Sequence, residues 1–312
     1  MLKYVLKRLG YILVTLWVIV TCTFFMMKNL PGTPFDAERF SIMTPQQQER
    51  VLEMYGLNDS LPMQYVKYIK NMLQGDLGTS FTYVNQDVTK VITGRLGPSA
   101  LIGIQAVLIG LAIGLILGIL AAWKHNSGID YFTMILAVLG VSVPNFVAAA
   151  LLQYYIGLKW GALPVGFWTG WNCSVLPSIA LSFSATAMVA RFMRTEMLDV
   201  LDQDYIITAR AKGLSQMKVL MRHAVRNSIL PVVTILGPIV VNLMTGSLAV
   251  ENIFSIPGIG SLFVDCIKAN DYPVIMGITI FYAAFYMLIV LLVDLAYSLI
   301  DPRIRLAKGK ES

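Results

Sequence analysis

Six long stretches without a charged residue alternate with polar segments along the chain. They cover residues 9–27, 99–123, 131–158, 175–190, 228–250 and 274–293. Most are close to the roughly 20 apolar residues that a helix needs to cross a bilayer. The runs are continuous instead of alternating between apolar and polar positions, which favours helices over barrel strands. The pattern predicts an all-α polytopic membrane protein with about six transmembrane helices.

The composition agrees with a bilayer environment. Of the 312 residues, 56% are hydrophobic and only 13% are charged, a balance that a water-soluble domain of this size would not keep in solution. Lys3, Lys7 and Arg8 precede the first apolar run, as in a secretory signal, but no small-x-small cleavage pattern follows it. The first run is therefore predicted to be a retained membrane anchor.

The distribution of basic residues predicts the orientation. Lysine and arginine concentrate in segments 1–8, 124–130, 191–227 and 301–312, whereas the short loops on the other side hold only Lys159 and Lys268. Positively charged loops stay in the cytoplasm. We therefore expect a multi-pass protein of the bacterial cytoplasmic membrane with both termini cytoplasmic. The net charge of +6 follows from this orientation and from contact with the lipid bilayer, so no nucleic-acid partner is expected.

The segment between the first two apolar runs differs from the other loops. Residues 28–98 contain seven basic and seven acidic residues, and the segment is too long for the orientation rule to apply. It is predicted to be a small extracytoplasmic domain. The predicted organisation is a cytoplasmic N-terminus with helix 1 (1–27), this domain (28–98), a permease core with helices 2–6 and a cytoplasmic coupling loop at 191–227 (99–300), and a cytoplasmic tail (301–312).

Glycine and proline residues within the apolar runs predict close packing and bends. Gly110, Gly114 and Gly118 recur every four residues, which places three positions without side chains on one helix face. Packing within this chain and packing against a partner chain both remain open. Pro144 and the Gly237-Pro238 pair are expected to kink their helices.

Several kinds of chemistry are missing from the sequence. No ionisable residue lies in the middle of an apolar run, although ion-driven carriers usually need one. There is no phosphate loop, no metal-binding HExxH or CxxC motif and no GxSxG nucleophile motif, so we expect neither an enzyme nor a cofactor. The cysteines are expected to be free, a Cys173–Cys266 disulfide being the less favoured alternative. Any energy for transport must come from a partner.

The loop 191–227 has an internal order of its own. Asp204 is predicted to cap a short helix whose last turn carries Arg210 and Lys212, and Gly213 to stop that helix in the left-handed conformation. Ser215 is predicted to cap a second helix. Ala209 and Ala211 keep the surface small, so another protein could approach it closely. A cytoplasmic docking knob and an ordinary basic loop are both compatible with this pattern.

The same loop resembles a known motif. Thr208-Ala209-Arg210-Ala211-Lys212-Gly213-Leu214, then Arg222-His223-Ala224-Val225-Arg226-Asn227 and Ile229-Leu230-Pro231, are similar to the coupling motif of binding-protein-dependent ABC importer permeases, in the form found in the peptide and nickel subgroup. Ile207 and Thr208 replace the first two residues of the general motif, whereas Ala209 and Gly213 match it. The resemblance implies the type I importer permease fold and assigns ATPase coupling to residues Thr208 to Ser215.

Further matches cover nearly the whole chain. Those in the outer domain of the subgroup's first subunit are Pro31-Gly32-Thr33-Pro34, Tyr55-Gly56-Leu57, Leu61-Pro62, Gln64-Tyr65 and Gly75-Asp76-Leu77-Gly78-Thr79-Ser80. A second set, residues 251–260 with Asp271-Tyr272-Pro273, resembles the loop before the last helix, where 259–267 is predicted to form a short helix. An outer gate or receptor contact is expected at Glu251, Phe254, Pro257, Gly258, Gly260 and Asp271.

The resemblance also implies the partners. It implies a homologous second permease, two cytoplasmic ATPase subunits and an extracytoplasmic peptide-binding protein, so that the assembly imports dipeptides or oligopeptides. Nickel or haem uptake is the alternative within the subgroup. An ion-coupled carrier and a non-transporting membrane scaffold are the alternatives from other classes. The sequence assigns no catalytic, metal-ligating or substrate-binding residue.

Overall fold

The computed structural model describes residues 2–29, 40, 42–54, 56–83, 86–244 and 248–300. Over these residues the chain is mostly helical. The helices are α1 (Leu2–Lys28), α2 (Pro45–Met54), α3 (Leu61–Leu73), α4 (Val88–Trp123), α5 (Gly128–Ser142), α6 (Asn145–Leu152), α7 (Val175–Leu201), α8 (Asp204–Ala211), α9 (Gln216–Val219), α10 (Arg226–Met244), α11 (Leu248–Ile253), α12 (Ile259–Lys268) and α13 (Tyr272–Ile300). In the described part of the chain, five helices are long and apolar enough to cross a membrane.

A sixth span is built from two helices. Helix α5 and the helical run Asn145–Lys159 meet at an angle of 100°. Pro144 causes this break: Val143 before it adopts the extended conformation (φ −83°, ψ 118°) and Pro144 follows at ψ 138°, because a residue preceding proline is driven out of the helical region. The predicted kink at Pro144 is confirmed. The count of five spans, or six with this pair, confirms the predicted number.

The chain divides into two compact units. The first contains residues 1–97 and 258–285. Its core gathers α12, the first half of α13 and the start of α4 around Val88, Ile92, Leu262 and Ile275. Helix α4 begins at Val88, inside the segment predicted to be an extracytoplasmic domain.

The second unit contains residues 98–257 and 286–312, and α7 is its central helix. The glycine face of α4 packs directly on α7: a Cβ atom added to Gly114 would lie 2.7 Å from the Cβ of Val189, and one added to Gly118 would lie 2.6 Å from the carbonyl oxygen of Ala190. Only glycine allows this approach. The glycine face is therefore used for packing within the chain, which settles an alternative that the sequence left open.

Other boundaries differ from the sequence prediction in detail. Helix α7 extends eleven residues past the predicted apolar run and ends at Leu201, so the first part of the predicted loop is helical. Helix α10 is continuous through Pro231 and Pro238, and a kink at Gly237-Pro238 stays a prediction. The motif residues 31–34, Tyr55 and the tail 301–312 lie outside the described residues. All three cysteines are free.

Candidate coupling site and outer loop

The candidate coupling site is the short helix α8, which we name the coupling helix, together with the turn that follows it. Gln203 occupies the cap position with extended backbone (ψ 147°), and Asp204 is the first helical residue. The prediction that Asp204 is the cap is therefore wrong by one residue. Its carboxylate still lies in the first turn, where the negative charge interacts favourably with the positive end of the helix dipole.

A specific hydrogen-bond pattern ends the coupling helix. The Gly213 amide donates to the Arg210 carbonyl oxygen at 2.9 Å, and the Leu214 amide donates to the Ala209 carbonyl oxygen at 3.4 Å. Gly213 has φ +77°, and the half-buried Leu214 packs against the core. These features define a Schellman stop, which needs a left-handed residue after the helix. The predicted role of Gly213 is confirmed.

The turn leads into a second helical run. Ser215 is the cap residue of α9, as predicted, although its side chain makes no capping bond. Its carbonyl oxygen accepts the Val219 amide at 3.0 Å. Residues Leu220–Val225 then form a π-helix that continues into α10, and a π-helical segment often marks a functional position. The coupling helix is thus followed by a continuous helical connection to a membrane span.

The coupling helix has one face buried in its own unit and one face exposed. Ile206 is fully buried and Ala209 is 6% exposed, both within the core of the second unit. Ala209 therefore holds the helix in place and does not offer a surface to a partner, which corrects the role predicted for it. The predicted residues Thr208, Arg210, Ala211, Lys212, Gly213 and Ser215 are exposed.

The exposed side of this region combines apolar and basic side chains. Ile207 is 58% exposed, and Met217 and Met221 are about equally so, while Arg210 and Lys212 are exposed between them in the sequence. Exposed apolar side chains that form a continuous patch are one mark of a protein contact surface. Sequence reasoning missed Ile207 because it appeared only as a departure from the motif. A cavity of about 260 Å³ adjoins Arg210 and Gln216.

The predicted outer gate residues are mostly buried, and they are divided between the two units. In the second unit, Glu251 is 2% exposed and accepts a hydrogen bond of 2.7 Å from the Ser99 hydroxyl. Phe254 is 1% exposed, and its carbonyl oxygen accepts the Phe167 amide at 2.8 Å. Pro257 is partly exposed. These contacts fix the loop from inside.

The side chain of Gln153 also fixes this loop. Its Nε2 atom donates to the carbonyl oxygens of Ile253 at 2.7 Å and of Val165 at 2.6 Å. One amide group thus joins the second half of the bent span to α11 and to the segment before α7. A single polar side chain therefore satisfies two backbone acceptors and connects three segments of the chain. The sequence signal for it was only a glutamine within an apolar run.

In the first unit, Asp271 holds the loop 80–83. Its side chain is fully buried and accepts hydrogen bonds from the Ser80 hydroxyl, from the Phe81 amide at 3.1 Å and from the Thr82 amide at 3.0 Å. Gly258 and Gly260 are also buried, at the start of α12. The predicted short helix 259–267 is confirmed. Five of the six predicted gate residues are therefore buried, and the side chains of Glu251, Phe254 and Asp271 lie inside these loops.

The next feature along α12 is the thiol of Cys266, which is buried against the same region. Burial, and then the nearby carboxylates Asp271 and Asp265, raise the pKa of Cys266 to about 12. Burial is also the first cause that raises the pKa of the Tyr83 phenol. Both groups stay neutral near physiological pH, because a low-dielectric environment disfavours the charged form. In the described part of the chain, no cluster of His, Cys, Asp or Glu could hold a metal ion.

Comparison with known proteins assigns the family. Residues 114–306 match the binding-protein-dependent transport system inner membrane component family, and residues 1–98 match the N-terminal region of binding-protein-dependent transport system membrane components. The chain belongs to this family. Its members are membrane subunits of transport systems and not catalytic enzymes, and this chain is a multi-pass membrane protein of that kind.

Curated relatives align over the full length. The chain is 46% identical over 306 residues to the dipeptide transport system permease protein DppB of Lactococcus lactis, covering 98% of this chain and 100% of the relative. It is 43% identical to DppB of Bacillus subtilis over 310 residues, covering 99% of each. It is 39% identical to the oligopeptide permease OppB of Salmonella typhimurium over 309 residues, with 98% and 100% covered.

Solved structures share the fold at low identity. A methionine ABC transporter in an inward-facing conformation superposes with a TM-score of 0.54 at 14% identity, covering 68% of this chain and 97% of the other. An amino acid ABC transporter crystallised with histidines gives 0.51 at 20% identity, covering 69% and 94%. At these identities the likeness shows the fold alone, and it confirms the predicted importer permease fold.

Proposed function

We propose that this chain is a permease subunit of an ATP-driven importer that takes up dipeptides or oligopeptides across the bacterial cytoplasmic membrane. The observation that carries the proposal is the coupling helix: its exposed side is apolar and basic, and its end is fixed by the Schellman stop at Gly213. The names of the full-length relatives, two dipeptide permeases and an oligopeptide permease, support peptides as the solute.

ATP hydrolysis is assigned to two cytoplasmic ATPase subunits, because the chain has no phosphate loop. In this proposal Ile207, Arg210 and Lys212 seat the coupling helix on one ATPase. Ile206 and Ala209 hold the opposite face of the helix in the core of the second unit. When the ATPase subunits close, the helix is displaced as a rigid piece. The arginine and lysine provide partners for acidic side chains, and the isoleucine provides apolar contact area.

The remaining parts of the proposal concern the outer side and the assembly. A homologous second permease completes the path, and an extracytoplasmic binding protein delivers the peptide. Residues 28–98 form the extracytoplasmic domain, and both termini lie in the cytoplasm, in agreement with the basic residues of segments 1–8 and 301–312. The buried residues Glu251 and Asp271 shape the outer loops, so receptor contact is assigned to exposed backbone and side chains around them.

The test is uptake by cells with and without this chain. Labelled peptides of graded length, nickel and haem are supplied separately, and uptake is followed over time. We expect loss of peptide uptake on deletion, recovery on re-expression, and loss again when the nucleotide site of the partner ATPase is disabled. Unchanged peptide uptake with loss of nickel or haem uptake would assign the alternative solute. Peptide uptake that survives disabling of the ATPase would point to an ion-coupled carrier.

A further inference from the structure

A partly buried ion pair joins α5 to α7 in the second unit. The Arg194 Nε atom donates to Asp130 Oδ1 at 2.6 Å, and its Nη2 atom donates to Asp130 Oδ2 at 2.8 Å. The Asn126 amide adds a third bond to Oδ2 at 3.0 Å. The Asp130 side chain is 2% exposed and that of Arg194 21% exposed. Two parallel bonds between a guanidinium and a carboxylate fix direction as well as distance.

Stability alone is a weak explanation for this pair. Removing two charges from water costs about as much as their attraction returns, and a well-packed apolar pair often serves as well. What such a pair supplies is a defined register between two elements. Helices in a membrane gain little from apolar contact with one another, because the lipid is equally apolar. A polar connection is therefore an effective way to stop α5 from sliding along α7.

The pair lies where three helices meet. A Cβ atom added to Gly118 of α4 would lie 3.2 Å from the Arg194 amide nitrogen, so the backbone of α7 is held by α4 at the same residue whose side chain is held by α5. Asp130 lies in the first turn of α5, where its charge also suits the helix dipole. The C-terminal part of α7 is thus held in place by both α4 and α5.

The two helices that the pair joins lead to different parts of the unit. Seven residues after Arg194, α7 ends at Leu201, and the coupling helix begins at Asp204. From Asp130, α5 runs to the bend at Pro144 and into the run Asn145–Lys159, within which the Gln153 side chain donates to the Ile253 carbonyl oxygen. The pair therefore connects the end of α7 that precedes the coupling helix to the start of the bent span.

We propose that Asp130 and Arg194 are positioning residues that make the bent span move together with α7 when the coupling helix is displaced. The proposal rests on the proposed function for its readout, since it concerns the link between ATP hydrolysis and transport. Breaking the pair lets α5 shift against α7, so ATP is hydrolysed without matching movement of the bent span. The pair then determines the amount of peptide transported per ATP.

The test uses the complete complex, with its ATPases, second permease and binding protein, reconstituted in liposomes. Asp130→Leu with Arg194→Met replaces the pair by apolar side chains that still pack. We expect normal assembly by size-exclusion chromatography, and a fall in peptide transported per ATP of about tenfold, within the usual range of coupling between sites. Arg194→Lys keeps the charge but loses one of the paired bonds, and an approximately threefold fall is expected.

Lys90→Gln is the matched control. It removes a 2.9 Å ion pair with Asp87 whose side chains are both exposed, and it should leave transport per ATP unchanged. If the double variant transports as much peptide per ATP as the wild type, the proposal is overturned. If the double variant does not assemble, wild-type transport of peptide per ATP in Arg194→Lys overturns the proposal instead. A loss of assembly that matches the loss of transport in every variant also overturns it, since the pair would then only stabilise the fold.

A second measurement separates this proposal from the proposed function. Spin labels at the exposed positions Ile129 and Thr195 report the distance between α5 and α7, in a chain whose cysteines are replaced by serine. With the pair intact, we expect the same narrow distance distribution without nucleotide and with ATP. In the double variant it should broaden or shift. A wild-type complex that imports no peptide refutes the proposed function, whereas an unchanged distribution in the double variant refutes the role of the pair.

Discussion

Replacement of Gly213 by valine tests the coupling helix with little disturbance elsewhere. Gly213 has φ +77°, and a Cβ atom added to it would meet no atom within 4 Å. The Cβ atom therefore overlaps no neighbour, and the main cost arises from the backbone. An L-residue in the left-handed conformation costs about 1–2 kcal/mol, and a β-branched side chain lies at the upper end. We take roughly 2 kcal/mol, which is about a 30-fold shift in a local equilibrium.

The roughly 30-fold shift destabilises the hydrogen-bonded turn that ends the coupling helix. The two bonds to the Arg210 and Ala209 carbonyl oxygens depend on the left-handed residue. When they open, Leu214 loses its fixed position against the core, and the connection between the coupling helix and α9 becomes flexible. A flexible connection absorbs displacement instead of transmitting it. The complex should still assemble, because the membrane spans do not depend on this turn.

The assay measures peptide uptake and ATP hydrolysis on the same reconstituted complex. We expect Gly213→Val to reduce uptake per ATP by about tenfold, somewhat less than the local shift, since docking on an ATPase restores part of the order. Hydrogen exchange at the Leu214 amide should accelerate by about 30-fold in the isolated subunit. Assembly should be unchanged.

Gly213→Asn is the matched control. Asparagine adds a side chain of similar volume in the same open space but tolerates the left-handed conformation, so uptake per ATP should stay near wild type. Two results would refute the reasoning. One is normal uptake per ATP in Gly213→Val. The other is equal damage in both variants, which would show that side-chain bulk at the docking surface matters and that backbone conformation does not.

Three further predictions concern the rest of the chain. Gly114→Val should lower the detergent melting temperature strongly, because its Cβ would lie 2.7 Å from a side chain of α7, whereas Gly94→Ala in the same helix meets no atom within 4 Å and should have little effect. Asp271→Asn removes a charged acceptor of two loop amides, and about 2 kcal/mol of lost stabilisation should speed their hydrogen exchange by roughly 30-fold. The folded-state pKa of Cys266 lies at about 12, above the ordinary thiol value of 9.0. Cys22 is an exposed free thiol, so the assay uses a chain with Cys22→Ser and Cys173→Ser, in which Cys266 should resist iodoacetamide at pH 8 and react faster as the pH is raised. Rapid native labelling at pH 8 would contradict that pKa.

Local patterns predicted much of the fold. The apolar runs gave the spans because a bilayer leaves few alternatives for a continuous apolar stretch. Pro144 gave the bend, and Gly213 gave the helix stop, since both act through the backbone of their immediate neighbours. The end of α7 was placed too early because the charged residues Arg191 and Arg194 looked like the start of a loop. In the structure they belong to the last turns of a long helix.

Long-range polar contacts could not be predicted in the same way. Asp130 and Arg194 are 64 residues apart, and Asp271 lies 191 residues from Ser80. No periodicity links such positions. The burial of Ala209 was missed for a related reason: which face of a short helix turns inward depends on the core that receives it. One clue was present, since Asp130 is an acidic residue in a predicted cytoplasmic segment, 124–130, whose single Lys or Arg residue is Lys124.

The positions of these contacts bear on how a helical membrane subunit could transmit movement. Apolar faces that touch lipid can slide, because one apolar neighbour is as good as another. Movement is passed on only where helices are held in register. In the second unit, the glycine face of α4 holds α7, Asp130 holds Arg194, and Gln153 holds the loop at Ile253. If an ATPase displaces the coupling helix, these connections decide which spans follow it, and substitutions on the lipid-exposed faces should matter far less than substitutions at these few positions.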